Sequence, residues 1–351
     1  MESIPETTKP ARPRILPALF FALWMSFVAL MVWFLSSSNA GEIGLAILLA
    51  TLAAALICGA LFLLTRRAKR GIKIAVRVIA AVLGFVLILS ATVYTLAPTL
   101  LFYPHNDDES VQALAAYPNV EQLTFETDGR TVSGWMIHQV EGKAPLVLYF
   151  GGNGEVSAHR VRYLIDSDTI QMFPGCNFAY LDYPGYGFSS GIPNEASLKQ
   201  MGLDGYDAIS SRADVDASRI LMFGFSMGTG VANYVASNRP ASGLILFAPY
   251  ADGYDLYNSM VPIFYGPMRA LVAFRMESIR FAENIPFQPL VFSSVDDRVV
   301  PFASSERLSQ AYPSGCEFVQ MQGLGHNDYW GSDDVLERVS QYIAEVLQHG
   351  A

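Results

Sequence analysis

Ser226, Asp297 and His326 are residue types that acyl transfer to a hydroxyl requires: an oxygen to attack, an imidazole to take its proton and a carboxylate to hold the imidazole. Ser226 lies in Met222-Phe223-Gly224-Phe225-Ser226-Met227-Gly228-Thr229-Gly230, a Gly-x-Ser-x-Gly pattern between the apolar run 220–223 and a helix-forming stretch, 229–237. A strand that turns into a helix within a few residues strains the serine backbone and leaves room beside it only for residues without bulk, hence Gly224 and Gly228. The turn lifts the hydroxyl clear of the sheet and aims the helix N-terminal N–H groups at an oxygen nearby. Three small residues at this spacing also arise by chance, so the rest of the chain decides.

His326 stands in Gly323-Leu324-Gly325-His326-Asn327-Asp328, ahead of a final helix expected at about 333–347, and is the candidate base. His105, His138, His159 and His349 read as solvated or packing residues. Val295-Asp296-Asp297-Arg298-Val299-Val300-Pro301 offers an acid to orient the histidine, and spacing alone does not separate Asp296 from Asp297. Gly151-Gly152-Asn153-Gly154-Glu155 allows close backbone approach to a substrate oxygen, with the N–H of Asn153 as one oxyanion donor and that of Met227 as the other. Asp182-Tyr183-Pro184-Gly185-Tyr186-Gly187 reads as a rigid structural loop.

The elements that must position these residues follow from hydrophobic patterning. Two β-rich runs, 121–127 and 131–138, flank Asp128-Gly129, a hairpin dipeptide, and form an antiparallel pair. Short apolar strands then alternate with helical stretches: 145–150, 176–181, 219–223, 243–247, 289–293 and 316–321. That alternation predicts an α/β fold with a mostly parallel sheet and helices on both faces. Ligands in such sheets bind beyond the carboxyl ends of the strands, where each candidate residue falls. Residues 249–288, rich in Tyr, Phe and Met and including Tyr250, Tyr254, Tyr257, Phe264 and Tyr265, suit either a lid over an apolar pocket or an ordinary connecting helix pair.

Composition points to a membrane part: 52% of the 351 residues are hydrophobic and mean hydropathy is +0.29. Residues 15–35, 43–64 and 78–97 are uncharged runs long enough to span a bilayer core, with Pro98 expected to close the last helix. Basic residues flank the first run (Lys9, Arg12, Arg14) and fill the second loop (Arg66 to Arg77), whereas 36–42 has none. An N-terminus inside and residues after 98 outside follow, which in a bacterium means an inner-membrane protein with a periplasmic catalytic domain. The division expected is a membrane domain at 1–103 and a globular domain at 104–351. Residues 1–103 hold 9 Lys and Arg against 3 Asp and Glu, leaving 14 against 29 for the rest. So acidic a globular part lacks the basic footprint of nucleic-acid binding, and no nucleic-acid partner is expected. Cys58, Cys176 and Cys316 follow no metal-ligand spacing; Cys176 and Cys316 are not expected to pair.

With Ser226, Asp297 and His326 in that chain order, the sequence resembles the membrane-tethered α/β-hydrolase-domain serine hydrolases, a group that includes lysophospholipid lipases and protein depalmitoylases. The resemblance covers about residues 100–349. It is carried by Leu101-Phe102-Tyr103-Pro104, Gly152-Asn153-Gly154-Glu155, Asp182-Tyr183-Pro184-Gly185-Tyr186-Gly187, Gly224-Phe225-Ser226-Met227-Gly228, Asp297-Arg298-Val299-Val300-Pro301 and Gly325-His326-Asn327-Asp328. It implies the α/β-hydrolase fold, a Ser226–His326–Asp297 triad, and Asp297 rather than Asp296 as the acid. Two departures stand out: Gly151 replaces the histidine usual before Gly-Asn, and Ser294 the glycine usual before the acid loop. The expected activity is cleavage of an acyl ester or thioester of lipid-like character at the bilayer, without metal or organic cofactor. A serine peptidase acting on N-terminal residues, or a non-catalytic membrane-anchored binding protein on the same fold, are the alternatives.

Overall fold

The computed structural model describes residues 41–349 apart from 66, 128 and 261, so the expected span at 15–35 lies outside the described residues. The chain divides into two compact units, Met1–Leu96 and Ala97–Ala351. Within the first, helix α1 is Gly41–Leu64, and helix α2, Arg70–Leu101, begins there and runs on into the second. Pro98 does not end α2, which continues past it to Leu101: a proline deletes a single internal hydrogen bond, which a long helix can survive. Large apolar side chains of both helices are exposed, among them Leu52, Leu56, Ile79 and Phe85. Among the described residues no helix is long and apolar enough to cross a membrane; in these two helices the side chains of 41–48, 50, 58, 62–63, 87, 90–91 and 93–100 lie outside them.

The second unit is built on one eight-stranded sheet. After helix α3 (Asp108–Leu114), strands β1 (Val120–Thr127) and β2 (Arg130–Ile137) form the expected antiparallel pair, paired in register from Val120–Ile137 to Thr127–Arg130. The sequence then alternates β3 (Ala144–Phe150), α4 (Ser157–Asp166), β4 (Asn177–Leu181), α5 (Glu195–Ser210), β5 (Val215–Phe225), α6 (Met227–Asn238) and β6 (Gly243–Phe247). It ends with α7 (Gly253–Met260), α8 (Ser278–Ala282), β7 (Leu290–Ser294), α9 (Phe302–Ser309), β8 (Glu317–Met321) and α10 (Asp333–His349). Strand order is β1-β2-β4-β3-β5-β6-β7-β8, parallel from β4 onward. β5 begins four residues before the expected start, and its pairing with β3 is irregular between Ala144 and Leu146. The polar stretch Asp216-Ala217-Ser218 therefore sits in a strand that hydropathy alone cuts short.

β3, β4, β6 and β7 are buried throughout and β5 from Ile220 onward, as a sheet covered on both faces requires. On one face Tyr149, Phe223 and Phe247 meet edge to face, at 5.2 Å and 4.7 Å between centroids, and Trp330 packs on all three. Val161 and Leu164 of α4 and Val335, Val339 and Ile343 of α10 complete that cluster. On the other face, Gly202 of α5 lies against Val231 and Val235 of α6 and the Phe150 ring. Cys176 and Cys316 are free and precede β4 and β8, strands five places apart in the sheet, so they cannot meet.

Candidate active site

Ser226 joins β5 to α6 with φ 50° and ψ −119°, a conformation side-chain-bearing residues rarely adopt. The surrounding packing imposes it. A Cβ on Gly228 would overlap the carbonyl oxygen of Phe150, and one on Gly224 would lie 2.6 Å from the Thr229 Cα and 2.9 Å from the Ala232 Cβ. The Ser226 N–H donates to the Phe247 carbonyl at 2.9 Å, tying the turn to the neighbouring strand end. Beneath it, the Tyr250 hydroxyl donates to the Met227 carbonyl at 3.1 Å. Tyr250 is fully buried under the turn, whereas its place at the start of an aromatic-rich insertion suggests a surface segment.

His326 reaches the same point from beyond β8. Its Nε2 is 2.9 Å from Ser226 Oγ and its Nδ1 2.8 Å from Asp297 Oδ2. A carboxylate can only accept, so Nδ1 carries the hydrogen and Nε2 is left to accept from the serine hydroxyl. The Asp297 side chain is 1% exposed and that of His326 13%. Phe225 lies along the imidazole, 5.1 Å between ring centroids, and limits its tilt. Asp297 Oδ1 accepts the N–H groups of Val299 and Val300 at 2.8 and 3.0 Å, which fixes the carboxylate. Asp296 turns the other way and accepts from the Gly323 N–H at 2.6 Å.

The loop after β3 lies against the start of α6. Three of its groups are held: the Gly151 carbonyl by the Tyr183 hydroxyl at 2.8 Å, the Gly152 N–H by Glu155 Oε2 at 2.8 Å, and the Asn153 Oδ1 by the Tyr186 hydroxyl at 3.2 Å. Burial pushes the Tyr183 phenol well above its ordinary range and that of Tyr186 up to about 12, so both stay protonated donors. Among the described residues, the N–H groups of Asn153 and Met227 have no hydrogen-bond acceptor. The tyrosines of the Asp182-to-Gly187 loop thus buttress this turn, and Asp182 anchors their base by accepting from the Ser157 N–H and hydroxyl at 2.7 and 2.6 Å.

In the insertion, Tyr257 and Phe264 are buried against each other, 5.4 Å between centroids, while Tyr265 is exposed and Arg269 lies over the Tyr254 ring. Sequence reasoning assigned no role to Glu155 or Arg160; two charges five apart at the start of a helix look solvent-facing, and only the fold buries them. For metal binding, one group among the described residues has ligand atoms within 4.8 Å of one another: Glu121, His138 and Asp214. Arg212 already bridges its carboxylates, at 2.8 Å from Glu121 and 2.9 Å from Asp214.

Solved structures share this architecture. Est1E from Butyrivibrio proteoclasticus, seen with ferulic acid bound, superposes with a TM-score of 0.51 and 18% identity over 65% of this chain and 98% of its own. An esterase from Pyrobaculum calidifontis matches at 0.51 and 16% over 68% and 90%. The fold is that of the α/β-hydrolases. Relatives of this α/β-hydrolase-fold chain include an uncharacterized protein of Mycobacterium tuberculosis, 29% identical over 242 residues, 68% of this chain and 84% of that one. Alpha/beta hydrolase domain-containing protein 17C of Xenopus tropicalis is 28% identical over 230 residues, 65% of this chain and 71% of that one. No family model matches.

Proposed function

We propose that this protein is a membrane-anchored serine hydrolase that cleaves an acyl ester or thioester through Ser226, His326 and Asp297. The observation that carries the reading is the unbroken hydrogen-bond chain from Ser226 Oγ through both nitrogens of His326 to Asp297 Oδ2. Ser226 Oγ attacks the acyl carbon while its proton passes to Nε2. The carbonyl electrons move onto the oxygen, which the N–H groups of Asn153 and Met227 receive. Collapse expels the alcohol or thiol, protonated by His326, and leaves an acyl-serine. Water, deprotonated by the same nitrogen, attacks the acyl carbon; the bond to Oγ then breaks, His326 returns the proton to Oγ, and the acid departs from the restored Ser226. The esterases among the structural neighbours favour an ester over an amide.

Anchoring rests on the uncharged runs at 15–35, 43–64 and 78–97, on the exposed apolar side chains of α1 and α2, and on the basic run of the sequence from Arg66 to Arg77. A helix apolar all round, with its side chains outward, suits lipid rather than water. The N-terminus is then inside and the hydrolase domain outside, in a bacterium the periplasm.

The test is labelling of the full-length protein with a fluorophosphonate, followed by a panel of esters, thioesters and aminoacyl amides. Labelling lost in Ser226→Ala, with esters or thioesters turned over fastest, is the expected outcome. Faster cleavage of aminoacyl amides would make the protein a peptidase, and absent labelling of the wild type a binding protein.

A further inference from the structure

A buried ion pair outside the triad fixes the loop that carries Asn153. The side chains of Glu155 and Arg160 are 10% and 13% exposed, and Arg160 Nε donates to Glu155 Oε1. The remaining donors to this carboxylate come from the strand and loop leading into it: the Tyr149 hydroxyl at 3.0 and 3.1 Å and the Gly152 N–H at 2.8 Å. The carbonyl of Glu155 is itself held by the Tyr180 hydroxyl at 2.9 Å. On its other side the Arg160 guanidinium lies 4.2 Å over the Trp330 ring. Trp330 belongs to the 3-10 turn Asp328–Gly331, which begins two residues after His326. One arginine therefore touches both the carboxylate that pins the Asn153 loop and the ring behind the histidine loop.

Burial of two charges is costly unless each satisfies the other. Burial opposes the Arg160 charge, but Glu155 offsets that and leaves the guanidinium pKa raised. A carboxylate without its arginine would also oppose negative charge developing at the adjacent loop. Arg160 cancels that field while Glu155 holds the Gly152 N–H, and the following N–H, that of Asn153, stays free. We infer that Glu155 and Arg160 are positioning residues: as a pair they set the oxyanion loop and lock it to the turn that follows His326. The inference rests on the hydrolase reading above.

In the full-length protein in detergent, Glu155→Gln and Arg160→Met should each lower kcat on a p-nitrophenyl ester about 10²-fold, with KM within about threefold of wild type. The double variant should be no worse than the poorer single one, because the pair acts as a unit. Amide hydrogen exchange over 151–155 should quicken at least about tenfold in each single variant, while β5 and β6 stay unchanged as the check on folding. If Arg160→Met does not fold, Arg160→Lys, which keeps charge but loses the planar fork, carries the same test with a smaller loss. Additive losses, or losses confined to KM, overturn the pairing. Unchanged exchange in the loop overturns the positioning role. Should the wild type hydrolyse no ester, the exchange result decides the inference by itself, and the hydrolase reading fails separately.

Discussion

Asp296 and Asp297 are adjacent in the chain and bonded to different loops: Asp297 Oδ2 lies 2.8 Å from His326 Nδ1, and Asp296 Oδ2 2.6 Å from the Gly323 N–H. A carboxylate 1% exposed and hydrogen-bonded to the imidazole can hold its tautomer and stabilise an imidazolium; the exposed neighbour cannot. Asp297→Asn should therefore lower kcat/KM by about 10⁴-fold, while Asp296→Asn should stay within about tenfold. Steady-state kinetics of the two variants decide the matter, and equal losses would reject the assignment.

The backbone at Ser226 predicts a trade of stability against activity. At φ 50° and ψ −119° a residue with a Cβ stores about 1–3 kcal/mol that glycine does not. Glycine gives part of that back through its freer unfolded chain, about 0.4–1 kcal/mol. Ser226→Gly should therefore melt a few degrees above Ser226→Ala, with both variants inactive. Equal or reversed midpoints in calorimetry would mean that the turn is unstrained.

Much of this fold is legible in the sequence because a parallel sheet covered on both faces writes its strands as apolar runs. β3, β4, β6, β7 and β8 fall within a residue of where hydropathy puts them. Ser226 and His326 stand out because glycines mark the turns that carry them. The choice between Asp296 and Asp297 is not in their spacing: both follow β7, and only the turn that returns Asp297 Oδ1 to the Val299 and Val300 N–H groups aims one at His326. Tyr250 beneath the elbow and the Glu155–Arg160 pair are illegible for a related reason. Their burial comes from elements distant in the chain, Met227 for one and Trp330 for the other.

Asp182 predicts a pH dependence of stability. Burial raises its pKa to about 6, although hydrogen bonds from Ser157 and Ser133 pull it down. Between the unfolded value, 3.8, and about 6 the folded state binds a proton that the unfolded state lacks, so stability falls as pH rises through that window. The loss from this one group amounts to about 3 kcal/mol by neutral pH. Asp182→Asn keeps an acceptor for the Ser157 N–H and presents an amide to its hydroxyl, standing in for the neutral acid. The stability of this variant relative to wild type should therefore grow from pH 4 to pH 7. Denaturant unfolding at the two pH values measures it, and a difference that does not change with pH would reject the buried-acid account.

The exposed apolar side chains of the insertion and of the acid loop predict a preference among acyl chains. Met260, Ile263 and Tyr265 of the insertion and Val295 and Val299 of the acid loop are between 43% and 59% exposed. The Ser259 hydroxyl donates to the Val299 carbonyl at 2.9 Å, which brings the end of α7 to the loop that holds Asp297. Apolar side chains left in water can be covered by a bound acyl chain. Each methylene so buried contributes about 0.8 kcal/mol, and four of them about 3 kcal/mol, or more than a hundredfold in kcat/KM. Octanoyl p-nitrophenyl ester should therefore exceed the butyryl ester by about that factor in detergent micelles, and Ile263→Ser with Val299→Ser should remove most of the gain while leaving the acetyl ester nearly unchanged. A strict preference for acetyl would mean that these apolar side chains do not meet the acyl chain.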